Sequence, residues 1–159
     1  MKNRAAKIIT LILLVLSLML TASMTFFAID AIFVLQAVPP IVVMFLCTLF
    51  LVWMDVFYVK SYVWLKSPTA DPKVIHKLTT QNIILMAFMG STSLSMWTAL
   101  FGSIVILQLF GNFQWNVLGV ALVSGAYTAN GILLQVAFLR AQIAAKQAAL
   151  QEQSPTQED

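Results

Sequence analysis

Apolar residues run almost unbroken through four stretches of the chain, about 8–29, 41–65, 83–110 and 117–139, and polar or turn-forming residues separate them. An apolar run of about 20 residues is long enough to cross a bilayer as a helix. The pattern therefore predicts an all-α, polytopic membrane protein with four transmembrane helices arranged as two helical hairpins. The predicted layout is a single integral membrane domain over 1–159, with a cytoplasmic linker at 66–82 and a cytoplasmic helix and tail at 140–159.

The breaks between the runs have recognisable causes. Asp30 ends the first run, and 31–38 leads to Pro39 and Pro40, which lack amide hydrogens and punctuate the chain before the second span. Ser67-Pro68 and Asp71-Pro72 mark the central linker. Asp71 suits a helix cap and Pro72 a first helical position, so a short basic helix over 73–80 is expected to feed the third span. Residues 111–116 read as a tight outer turn. Beyond the fourth span, 140–153 is rich in Ala, Gln and Lys, good helix formers, and 154–159 reads as a frayed tail.

Charge gives the predicted threading. All nine Lys and Arg residues lie within 2–7, 60–77 and 140–146. Cytoplasmic segments are enriched in Lys and Arg, so both termini and the central linker are expected inside. The first run, with Lys2, Arg4 and Lys7 before it and Thr21, Ala22 and Ser23 late in it, has some look of a signal peptide. Its apolar part is longer than a signal core, so it reads as an uncleaved first span. Short loops and a basic amino terminus point to a bacterial cytoplasmic (inner) membrane. Tyr62 and Trp64 at the inner boundary and Trp115 at the outer one fit interfacial aromatic belts.

Composition narrows the function classes. With 60% hydrophobic and 9% charged residues, the chain departs far from the soluble balance. Its net charge of +3 belongs to membrane-flanking segments, so the lipid bilayer is the expected partner and nucleic acid is not. A lone cysteine, Cys47, excludes an intrachain disulfide, and its mid-span position suggests a buried thiol. His76 is the only histidine and reads as a solvated loop residue. With no phosphate-binding glycine loop, HExxH or GxSxG motif, neither an enzyme nor a cofactor is expected. The two span pairs share no motif, which argues against an inverted-repeat transporter.

Helix packing leaves a clearer trace. Ala87, Ser91, Ser95, Ala99 and Ser103 recur every four residues in the third span, as do Ala121, Gly125 and Ala129 in the fourth and Ser17, Thr21 and Thr25 in the first. Small side chains let helix backbones approach closely in lipid. These rows are expected to pack the bundle, or else to dock a partner membrane protein or a second copy.

Asp55 is the one ionisable residue expected within the apolar depth, about 21 Å below the outer edge when counted from Ile41. Asn130 falls about 20 Å from that edge, and Ser91 and Ser17 about 12 to 14 Å from the inner one, so the four form a candidate polar layer. Asp55 is either a structural acid tied to hydroxyls and Asn130 or a proton or cation coupling site. Lys60, Lys66, Lys73 and Lys77 are candidate contacts for anionic lipid head groups. The four-span layout recurs in many unrelated proteins. The expected role is a non-enzymatic accessory or scaffold subunit, with an oligomeric transporter or channel using Asp55 as the alternative.

Overall fold

The computed structural model describes residues 4–34, 38–68, 71–103 and 113–153, and apart from residues 67, 68 and 71 all of them are α-helical. The helices are α1 (Arg4–Val34), α2 (Val38–Lys66), α3 (Pro72–Ser103) and α4 (Phe113–Gln153). All four are long and apolar enough to cross a membrane. The helical form has a direct physical cause: in hydrocarbon, backbone N–H and C=O groups have no water to bond, and a helix pairs them within one segment.

Several element ends differ from the sequence expectation. Helix α1 continues past Asp30 to Val34. Pro39 and Pro40 lie in the first turn of α2 rather than before it. That placement is tolerated because first-turn amides have no intrahelical acceptor to lose. Likewise α4 already begins at Phe113, inside the expected outer turn. Residues 111 and 112 of that turn, residues 104–110 of the third span and the tail at 154–159 lie outside the described residues.

Helix α3 begins where the Asp71-Pro72 pair says it should. The Asp71 carboxylate accepts a hydrogen bond from the Lys73 amide at 2.9 Å, and its carbonyl accepts from the Ile75 amide at 3.1 Å. No separate linker helix forms; 73–80 is the first part of α3. At the other end α4, with 41 residues, extends about 61 Å, twice the hydrocarbon thickness. Its excess falls on the Ala- and Gln-rich 140–153, which suits water.

The chain divides into two compact units, Met1–Pro68 and Thr69–Asp159. In the first, α1 packs on α2. Buried positions on α1 are Ala6, Thr10, Leu13, Leu14 and Ser17, one face at three- and four-residue spacing. On α2 they are concentrated late, at Met54, Asp55, Phe57, Tyr58, Ser61, Trp64 and Leu65. Trp64 is therefore a packed residue and not an open interfacial one. Phe26, Phe27, Ile29, Val42, Val43, Phe45 and Leu46 remain exposed, and so does Cys47, contrary to the buried position expected for it. Lipid is as apolar as these side chains, so nothing drives them inward.

In the second unit α3 packs on α4 with cross-links that run in opposite sequence directions: Thr79 to Gln142, Asn82 to Gln135 and Gly131, and Ser93 to Ala121. The helices approach closely at glycines of α4. A β-carbon on Gly131 would collide with the Met86 side chain, and one on Gly125 would lie 3.3 Å from Ser93 Oγ. Leu85 and Met89 on α3, with Ala121, Leu134 and Phe138 on α4, are buried around these polar links.

Candidate functional site

Asp55 is 7% exposed and reaches two hydroxyls of α1. Ser17 Oγ donates to Oδ1, and Thr21 Oγ1 donates to Oδ2 at 2.7 Å. Ser17 and Thr21 are four residues apart, which stacks them on one helix face, so a single carboxylate spans both. The four-residue recurrence that suggested mere helix approach here also supplies the donors. Thr25, the next member, is exposed and bonds its own helix at the Thr21 carbonyl, 2.7 Å away.

Thr21 has a second acceptor, the Ser17 carbonyl at 3.0 Å. A hydroxyl carries one hydrogen, so it serves the carboxylate or the backbone. With Asp55 ionised, both carboxylate oxygens receive a donor. With Asp55 protonated, its new O–H can point at Thr21 Oγ1 while Thr21 donates back to Ser17. The same three residues thus accommodate either state without an unpaired group. Their oxygens, one carboxylate among neutral donors, would suit a small hard cation better than a transition metal. Among the described residues there is no group of three His, Cys, Asp or Glu able to share a metal.

The second unit has a polar centre of its own. Asn82, fully buried, donates through Nδ2 to the Gly131 carbonyl at 2.8 Å and to Gln135 Oε1 at 3.0 Å. Its Oδ1 has no hydrogen-bond partner among the described residues. Asn130, 1% exposed, lies beside Gly131 on α4. Of the four candidate layer residues, Ser17 and Asp55 are in contact in one unit, Asn130 is buried in the other, and Ser91 is exposed there.

Chain comparison adds no homologue to this picture. No known protein family, curated protein or solved structure matches the chain.

The small-residue rows divide. On α3, Ala87, Ser91, Ser95 and Ala99 are all exposed, and Ser103 ends the helix. The side of α3 that meets α4 instead carries Asn82, Met86, Gly90 and Ser93. On α4, Ala121 is fully buried, Gly125 half-buried and Ala129 exposed. Lys60, Lys66, Lys73 and Lys77 are exposed.

Sequence reasoning missed Asn82, Gln135, Thr79 and Gln142. Asn82 stands just before the third apolar run, where it reads as linker, and Gln135 is an isolated amide late in the fourth. The available signal was that a lone amide in an apolar helix needs a partner at similar depth. Sequence alone cannot choose the partner.

Proposed function

We propose that this chain is a small integral membrane protein whose four helices cross the bacterial cytoplasmic membrane as two hairpins, with both termini in the cytoplasm. It acts as a non-enzymatic accessory or scaffold subunit, docking a partner membrane protein or a second copy. The observation that carries this reading is the row Ala87, Ser91, Ser95 and Ala99, which is exposed although its residue types are those of a close helix contact. Serine hydroxyls on such a row can bond across to a neighbouring helix. The Asn82 amide hydrogens and the Ser93 hydroxyl, by contrast, already bond to α4.

The test is mild-detergent purification of the full chain with mass measurement of the intact assembly, repeated on Ser91→Leu/Ser95→Leu. Wild type should travel as a complex with fixed stoichiometry, and the variant should fall to the single chain. A wild-type chain that is already single removes this reading.

The alternative is an oligomeric transporter or channel in which Asp55 couples to a proton or cation. It is favoured by one observation, the Thr21 hydroxyl shared between Asp55 and the Ser17 carbonyl. Flux in proteoliposomes decides it: pH- or ion-dependent transport lost in a folded Asp55→Asn variant supports coupling, and unchanged transport removes it.

A further inference from the structure

The three residues around Asp55 are not equally enclosed. Ser17 is fully buried, Asp55 nearly so, and Thr21 only half-buried. The open edge of the site is therefore at Oδ2, where Thr21 donates at 2.7 Å. Elsewhere the contact is closed by Leu13 and Leu14 of α1 and by Met54, Phe57 and Tyr58 of α2. Thr21 also has the Ser17 carbonyl within reach at 3.0 Å. Rotation about its C–O bond turns the hydrogen from Oδ2 to that carbonyl and leaves a lone pair facing Oδ2. A proton on Oδ2 then meets an acceptor, and no heavy atom has to move.

A metal ion meets a worse fit. Calcium, for comparison, takes about 6–8 oxygens at roughly 2.3–2.6 Å. Five oxygens meet here, the two of Asp55, the Ser17 and Thr21 hydroxyls and the Ser17 carbonyl, and hydrogen bonds already hold them in contact. An ion would enter only by forcing them apart and turning both hydroxyl hydrogens away.

No fixed cation faces the carboxylate either. On α1 the nearest charges are Lys7, about 15 Å along the helix from Ser17, and Asp30, about 14 Å from Thr21. On α2, Lys60 is exposed and about 140° around the helix from Asp55. Tyr58 and Tyr62 share the side of α2 that carries Asp55, and a phenol supplies no positive charge.

We propose that Asp55 binds an exchangeable proton rather than a metal ion, that the proton sits on Oδ2, and that Thr21 is the positioning residue that reverses its hydrogen bond to receive it. This deepens the transporter reading of the same site, and it rests on that reading for the use of the proton but not for its binding.

The test is infrared difference spectroscopy of the full chain in lipid nanodiscs, acidified minus neutral. The water-exposed acids contribute carboxyl bands of their own, and Asp55→Asn should remove one further C=O band. Replacing potassium by sodium or lithium at constant ionic strength should leave that band unchanged. In Thr21→Val the neutral acid loses its acceptor, so its C=O band should move to higher frequency; in Thr21→Ser, which keeps the hydroxyl, it should stay in place. The two Thr21 variants carry the test if Asp55→Asn fails to fold, because only a carboxyl beside Thr21 responds to them. A spectrum unchanged in a folded Asp55→Asn, a band suppressed by sodium or lithium, or a band that Thr21→Val does not move overturns the proposal. Sodium-driven flux in proteoliposomes together with a sodium-suppressed band would overturn it while keeping the transporter reading. The expected bands without any proton flux would uphold it and remove the transporter reading instead.

Discussion

The Thr21 hydroxyl lies 2.7 Å from Asp55 Oδ2 and 3.0 Å from the Ser17 carbonyl, so one hydrogen stands between a side-chain acceptor on α2 and a backbone acceptor on α1. This arrangement ties the acid to α1 through groups that can reverse direction, and it makes the pairing testable from both sides.

Removing the donors should cost more than removing the acid with them. Ser17→Ala/Thr21→Val leaves a buried carboxylate without partners and should destabilise the chain by about 2–4 kcal/mol, because an orphaned buried charge loses its compensation. Adding Asp55→Leu to that double variant should recover much of the loss. Unfolding in mixed micelles monitored by circular dichroism gives both values, and a triple variant no more stable than the double contradicts the hydroxyl–carboxylate account.

Glycine substitutions should separate by position. Gly131→Ala forces a β-carbon into Met86, beside the carbonyl that Asn82 bonds, and should cost about 1–3 kcal/mol. Gly119→Ala meets nothing within 4 Å and should be neutral or stabilising by up to about 1 kcal/mol. Comparable losses at the two positions would contradict the close α3–α4 approach.

Asn82→Leu should be milder than full burial suggests. It removes two donated bonds but also an acceptor with no partner among the described residues, and interhelical hydrogen bonds in membranes average about 0.6 kcal/mol. A loss near or below about 1 kcal/mol is expected in the same unfolding assay, and several times that would mean Asn82 holds more than α4.

The proposed threading predicts a labelling pattern. In a Cys47→Ser background, Asp30→Cys should react with a membrane-impermeant maleimide added outside intact cells. Asp71→Cys should react only after permeabilisation. Both positions are exposed, so the reverse pattern would overturn the proposed orientation.

The four apolar helices and the start of α3 were legible because they are local: an apolar run of sufficient length forces a helix in lipid, and Asp71-Pro72 caps one. Asp55 stood out because a charge in an apolar helix is rare. The packed faces were not legible in the same way. Exposed Ile8, Ile12, Val15 and Met19 are as apolar as buried Leu13 and Leu14, since lipid accepts both, so hydrophobic periodicity marks no interface. Spacing placed Ser17 and Thr21 on one face of α1, but only tertiary structure brought Asp55 to them. It also decided that α3 meets α4 through Asn82, Gly90 and Ser93 and leaves Ala87, Ser91, Ser95 and Ala99 exposed. Contacts between helices depend on the rotation of each about its axis, and in a bilayer that rotation is set by polar partners and close fit between chains, which a single apolar segment does not encode.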